Sequence, residues 1–421
     1  MEIWQERGLA IANSNTVEKN KLGWKVPSQS GNGTYVVNLD HGEPFCTCQH
    51  FESTHKKCQH IYAVEFIERK EQRPDGTEVV TKTMRVTYTQ NWPVYNEAQT
   101  HEQERFVELL RDLCNGIQQP EYSFGRPRLP LSDVVFGLVF KSYSTMSGRR
   151  FVSALKESES KGLIVKAAHY NSAFRYLENQ ELTPLLKSLI EQSASPLSAV
   201  ESDFAVDSSG FATTTYARWF DHKWGKERKR QTWVKTHMMC GVKTHIVTSV
   251  EATAYESADN LQFPALVEKT AKTFTINEVS ADKAYSGRNN LKAVQAVGGT
   301  AFIPFMSHAT GKINKYHRYH KFDNLWHHMW HFYNFNREVF MQHYHKRSNA
   351  ETVFSMIKAK FGGSVRSKSA VAQVNEVLCK VLCHNICVLI QSIYELGIAP
   401  NFWTFEAKEP VAPKLLENWN F

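Results

Sequence analysis

The sequence predicts an α/β protein in which a small cysteine-bearing module and a helical region precede a sheet flanked by helices. Three observations carry this. β-prone runs between Phe204 and Val250 give way to alternating helical and strand-like segments as far as Pro304. From Tyr344 to Lys358, polar and apolar residues sort to different sides of a helix. Near the N-terminus, two short pairs, C-x-C and C-x-H, stand nine residues apart.

Composition sets the limits. A chain of 421 residues with 42% hydrophobic content has room for two or three domains with real cores. No run approaches the roughly 18 uncharged apolar residues of a membrane span. The first residues, MEIWQERGLAIANSN, lack the basic-then-apolar order of a signal peptide. A cytoplasmic protein is expected, and its eight cysteines read as thiols or metal ligands rather than disulfides. Net charge is +8, and the excess is segmental. Pro120 to Arg175 holds nine Lys/Arg against four Asp/Glu, Lys223 to Lys243 seven against one, and Phe340 to Lys368 six against one. Separate basic segments point to a long polyanion as partner.

Taken in order, Trp24 to Asp40 reads as a hairpin, with a Ser/Gly/Asn cluster before the strand-like Thr34 to Leu39. Cys46, Cys48, Cys58 and His60 then offer three thiolates and an imidazole, a tetrahedral set for one structural Zn²⁺. His41, His50 and His55 compete with His60 for the fourth place. Cys58 opens an apparent helix from Ile61 to Arg69. The C-x-C-x9-C-x-H pattern after a hairpin resembles a SWIM-type zinc finger, so residues 1–70 are taken as that module. Such modules are associated with DNA or protein binding.

Residues 71–200 read as a connector and a helical DNA-binding domain. A short hairpin is expected in Gln72 to Asn91. Helices are expected at His101 to Gly116, from Ser132 through Val139, at Gly148 to Lys161, Tyr170 to Glu178 and Thr183 to Gln192. Short helices with basic flanks suit a helix-turn-helix reader or an ordinary bundle. Gly125 to Arg128 faintly resembles a minor-groove hook.

From residue 201 the pattern changes. An apolar run, Phe204-Ala205-Val206, ends in Asp207 and an expected turn at Ser208 to Gly210. Thr213 to Phe220, Val234 to Met239 and Thr244 to Val250 are β-rich and suggest an antiparallel meander. A helix at Asp259 to Thr273 leads to the strand Glu278 to Ala281, which ends in Asp282. A helix at Ser286 to Val297, a strand at Thr300 to Pro304 and a long apolar helix at Val371 to Leu396 complete the list. Cys379, Cys383 and Cys387 share that helix's apolar side and read as buried.

On one helix, Tyr344, Arg347, Glu351 and Lys358 fall within an arc of about 60°. Ala350, Val353, Phe354, Ile357 and Phe361 lie beside them as a core-facing stripe. A carboxylate flanked by two cations and a phenol suits a divalent metal beside a phosphodiester. Ser348 and Glu351 also fit a capping box, and Arg347 with Glu351 a plain i,i+4 ion pair.

Y-x2-R-x3-E-x6-K at these four positions resembles the signature around the last acidic residue of the DDE transposases of bacterial insertion sequences. Asp282-Lys283-Ala284-Tyr285 resembles the motif around their second aspartate, and Asp207 stands where the first is required. The resemblance covers roughly half the chain. It implies an RNase H-like core over 201–400, with a mixed five-stranded sheet and flanking helices, and a tail at 401–421. It implies Asp207, Asp282 and Glu351 as catalytic ligands of two Mg²⁺, with Mn²⁺ able to substitute. Tyr344, Arg347, Lys358, Lys283 and Tyr285 would contact phosphates. The implied activity is cleavage at transposon ends and transfer of the 3′-hydroxyl into target DNA. Its partners would be double-stranded DNA at terminal inverted repeats and target, and a second copy in a homodimer. The setting is bacterial, cytoplasmic and nucleoid-associated, with no membrane. A nuclease without strand transfer and a catalytically idle DNA-binding regulator are the alternatives. Trp326 or Trp330, in the aromatic and His-rich stretch His317 to His345, would stack on a flipped base or belong to the core.

Overall fold

The central strand is Asp203–Ala212 (β7) of a five-stranded mixed sheet. We describe a computed structural model covering residues 3–13, 17–20, 23–28, 33–39, 44–72, 78–82, 91–120, 129–213, 233–253, 259–311 and 324–403. The described chain divides into two units, Met1–Gln90 and Asn91–Phe421.

In the larger unit, β7 pairs antiparallel with Trp233–Gly241 (β8), which pairs antiparallel with Val247–Thr253 (β9). On its other side β7 pairs parallel with Glu278–Ala281 (β10), which pairs parallel with Thr300–Phe302 (β11). The order is β11-β10-β7-β8-β9, the mixed five-stranded sheet with flanking helices expected of an RNase H-like core. Phe204, Ala205 and Val206 are buried in succession rather than alternately, as in a strand covered on both faces.

The turn expected at Ser208 to Gly210 does not form. β7 runs on to Ala212, paired residue for residue with β8 from Phe204↔Gly241 to Ala212↔Trp233. Nine ladder positions outweigh the weak strand preference of Ser and Gly. Asp207 therefore lies within the strand. The meander is β7, β8 and β9. The β-rich run at 213–220 lies outside the described residues except for Thr213. Thr244 to Ile246, expected to open the third strand, is the turn before β9, with His245 at φ +65°.

Helices Trp92–Thr100, Glu102–Asn115, Leu131–Ser144, Gly148–Ser160, Tyr170–Leu177 and Leu182–Ala194 belong to this same unit. Their buried residues are continuous with those of the sheet in one core reaching from Ala98 to Phe402. The helix Ala370–Leu396 runs through it. By length and composition that helix could cross a membrane, but 78% of its most apolar window is buried within the protein. Cys379 and Cys383 are wholly buried, and burial pushes the thiols of Cys379 and Cys387 up to about 12.

In the smaller unit, Glu18–Asn20 (β1), Gly23–Pro27 (β2), Thr34–Asn38 (β3) and Phe45–Cys46 (β4) form an antiparallel sheet in that order. The helices Ile3–Asn13, Gln49–Thr54 and Gln59–Ile67 complete the module. Val26, Val37, Ile61 and Val64 have no exposed surface and form its core with Ile11 and Trp24. A ribbon of Glu68–Gln72 (β5) and Glu78–Lys82 (β6) follows; residues 83–90 lie outside the described set.

Candidate active site and metal centre

The parallel register Ala281↔Val206 fixes where two of the carboxylates stand. Asp282, the next residue after β10, falls level with Asp207 on the neighbouring strand. Ordinary strand spacing is about 4.8 Å, so the two acids are close neighbours. Each carboxylate accepts a backbone N–H from the residue after it, at 2.8 Å from Ser208 and 2.7 Å from Lys283.

The third acid comes from the helix Ser348–Phe361, whose buried residues are Ala350, Val353, Phe354, Ile357 and Phe361, the expected stripe. The helix does not begin where the motif does. Arg337–Tyr344 ends one helix, and a 3₁₀ turn, His345–Arg347, intervenes. Contacts with the sheet hold this tight turn. Lys346 Nζ lies 2.7 Å from both Asp203 and Glu278, and His343 Nδ1 lies 2.9 Å from Glu278. The capping box is absent: the Ser348 hydroxyl donates to the His345 carbonyl at 3.0 Å. Gly362, at φ +84°, ends the helix and turns the chain so that the Ala212 and Val365 amides bond across to Gly363 and Ala212.

Arg347 joins two of the acids. One guanidinium nitrogen donates to Asp207 Oδ2 at 3.2 Å and the other to Glu351 Oε1. Burial raises the Asp207 carboxyl above its ordinary value; the Ser208 amide and Arg347 pull it back, while Glu351 and Asp282 push it further up. Asp207 thus feels the charge of both other acids. Glu351 itself is more than half exposed. The three do not converge as tightly as the N-terminal cysteines: among the described residues, the only group with three or more Cys, His, Asp or Glu ligand atoms within 4.8 Å of one another is in the smaller unit.

The other motif residues divide. Lys358 Nζ donates to Ser209 Oγ at 2.7 Å, two residues along β7 from Asp207, and burial lowers its pKa. Tyr344 lies 6.0 Å under the Arg347 guanidinium; burial raises its phenol, and the Asp282 charge adds to the effect. Lys283 is exposed beside Asp282. Tyr285 departs from expectation. It is 1% exposed, packs on Phe263 and points its hydroxyl at His237, away from solvent. His237 is buried in the middle of β8 among Met and Val residues. A histidine at an inward strand position was the one sequence signal for this contact.

Trp326 and Trp330 are partly buried and pack against the core. Their indole N–H groups donate to Thr310 and Ala309 carbonyls, each at 3.1 Å, and Trp326 packs edge-on against Phe305. Of the basic segment at 223–243, residues 223–232 lie outside the described set; Lys235 pairs with Asp259, and Lys243 donates to the Val200 carbonyl. Gly125 to Arg128 also lies outside it. The tight three-residue connection expected of a helix-turn-helix precedes Gly148–Ser160, where Arg149, Arg150 and Lys156 are exposed. The helix Tyr170–Leu177 follows a longer loop.

In the smaller unit, Cys46, Cys48, Cys58 and His60 are all buried, with their ligand atoms within 4.8 Å of one another. His60 Nδ1 lies 3.8 Å from both Cys46 and Cys58 Sγ. A tetrahedral S₃N zinc site has S···N edges of about 3.6 Å, so the cradle fits a structural zinc ion. His60, at the start of its helix, is the imidazole in the cluster; His50 and His55 are not part of it. The Cys58 thiol is drawn down to about 3, first by its hydrogen bond with Cys46.

Two family models match the chain. Residues 35–67 match the SWIM zinc finger, a span that includes all four zinc-type ligands. Residues 198–386 match the transposase DDE domain, a span that includes Asp207, Asp282 and Glu351. The chain thus matches a DDE transposase that carries an N-terminal SWIM zinc finger.

Proposed function

We propose that this transposase cuts DNA at the ends of its element and joins the freed 3′-hydroxyl to target DNA, using Asp207, Asp282 and Glu351. The observation that carries the reading is the alignment of Asp207 and Asp282 on paired strands, with Glu351 tethered to Asp207 through Arg347. The donor set fits hard divalent cations, since it is made of carboxylate oxygens that already repel one another. When bound, a pair of Mg²⁺ ions, or Mn²⁺ in their place, would polarise the attacking and leaving oxygens.

The remaining roles fall to the chain itself. Arg347 holds Asp207 and Glu351 together in this state and is the group best placed to move onto a phosphate, which it can grip with two parallel N–H donors. Lys358, half-buried, bonded to the Ser209 hydroxyl and lying over the Phe211 and Phe354 rings, is a point charge for a second phosphate. Tyr344 offers a hydroxyl beside them, and Lys283 an exposed cation at the mouth of the site. Segments around 120–175 and 223–243 supply the remaining DNA contacts, with Tyr170 to Arg175 reading the ends. Two copies of the chain synapse the two ends. Residues 1–70, within the smaller unit, act as a separate zinc-stabilised binding module.

A strand-transfer assay with pre-cut ends tests the reaction class. Joined products in Mg²⁺ are expected. Cleavage of intact ends without joining would make the chain an RNase H-like nuclease, and neither product would leave a DNA-binding regulator.

A further inference from the structure

His237 has no place in the sequence motifs, yet it sits between the two aspartates' supports. It is fully buried, and its Cα partner in β7 is Ser208, the residue after Asp207. Nε2 lies 3.0 Å from Thr253 Oγ1, and Nδ1 lies 3.5 Å from the Tyr285 hydroxyl and 3.6 Å from Asp259 Oδ1. Nδ1 thus faces the Tyr285 hydroxyl with Asp259 close behind, and Nε2 bonds the Thr253 hydroxyl.

Tyr285 belongs to the other aspartate. It closes the turn after β10, with its N–H bonded to the Asp282 carbonyl at 2.9 Å. Its own carbonyl accepts from Asn290 Nδ2 at 2.7 Å, and Asn290 also donates to Asn260 at 2.6 Å. The short turn Asp259–Leu261 therefore reaches Tyr285 through Asn290, and its Asp259 lies beside His237.

We propose that His237 is a positioning residue: by docking the Tyr285 hydroxyl against β8, it fixes the spacing between Asp282 and Asp207. This rests on the reading of those aspartates as a divalent-cation site, and the test separates the two. Binding of Mn²⁺ to the full-length, zinc-loaded chain is measured by electron paramagnetic resonance, with zinc content and thermal melting as folding controls. Partners that orient ligands from behind typically govern metal affinity by tenfold or more. Tyr285→Phe, which removes one oxygen, and His237→Phe should each weaken Mn²⁺ binding about tenfold. The double variant should lose less than the sum of the two single losses, since both break the His237–Tyr285 link. His237→Asn, which keeps a polar group near the Nδ1 position, should recover part of the loss. Unchanged Mn²⁺ affinity in both Phe variants, with Asp207→Asn and Asp282→Asn abolishing it, would overturn the positioning role and leave the cation site standing. Retention of Mn²⁺ in Asp207→Asn and Asp282→Asn would overturn both.

Discussion

His384 shows how one buried side chain sets a pH dependence. It lies inside Ala370–Leu396, 3% exposed, with Nε2 donating to the His245 carbonyl at 2.9 Å. Burial lowers its pKa from 6.5 to about 4. Below pH 6.5 the unfolded chain takes up a proton that the folded chain refuses, so stability falls as pH drops from 6.5 and levels off near 4. The full loss is roughly 3 kcal/mol from this group, by linkage over the gap between 6.5 and about 4. His384→Gln keeps an N–H for the carbonyl and does not titrate. Urea unfolding at pH 7 and pH 4.5 should show a smaller drop for the variant; parallel drops would contradict the assignment. At this scale each proposed acid sits at a change of pattern in the sequence: the end of an apolar run for Asp207 and Asp282, the edge of a stripe for Glu351. It did not give depth. Tyr285 and Tyr344 are both motif tyrosines, yet one is buried and the other borders the site, a difference set by Phe263 and His237 on distant segments.

The helix Ser348–Phe361 was legible as an element because its apolar stripe has one partner, the sheet and core beneath it. Ile357 is wholly buried and Met356 is 41% exposed on the adjacent position. Ile357→Ala should cost about 2–5 kcal/mol and Met356→Ala less than about 0.5 kcal/mol in chemical denaturation of the full chain. Similar costs for both would mean the helix is rotated from the orientation described. The 3₁₀ turn before it was not legible, since three residues hardly distinguish a period of 3.0 from 3.6. What tightens it is the pull of Lys346 toward Asp203 and Glu278. The unbroken course of β7 through Ser208-Ser209-Gly210 was hidden for a similar reason: the partner strand that holds it begins more than twenty residues later.

At the scale of the whole molecule, the zinc module and the larger unit have separate cores. Structural zinc stabilises its own module, so Cys58→Ser should release the ion and loosen residues 1–70 while the larger unit keeps its hydrogen-exchange protection. About one zinc per chain is expected before the substitution. Full zinc retention after it would remove Cys58 from the ligand set. The cysteine spacing made this centre readable. The common core of helices 91–200 with the sheet was not, because periodicity shows which side of a helix is apolar and not what covers it.

The central claim concerns Asp207, Asp282 and Glu351 acting together, and the most direct measurement is cleavage and joining of end-bearing DNA in Mg²⁺ by the three single alanine variants and the triple variant. Groups that hold shared ions act as a unit, so each single loss should nearly equal the triple loss. Binding to the same DNA should persist in all four, and Lys358→Ala, which leaves the carboxylates in place, should be milder. Normal cleavage in Mg²⁺ by Glu351→Ala would contradict the account and leave Ser348–Phe361 a structural helix tied to Asp207 by Arg347 alone.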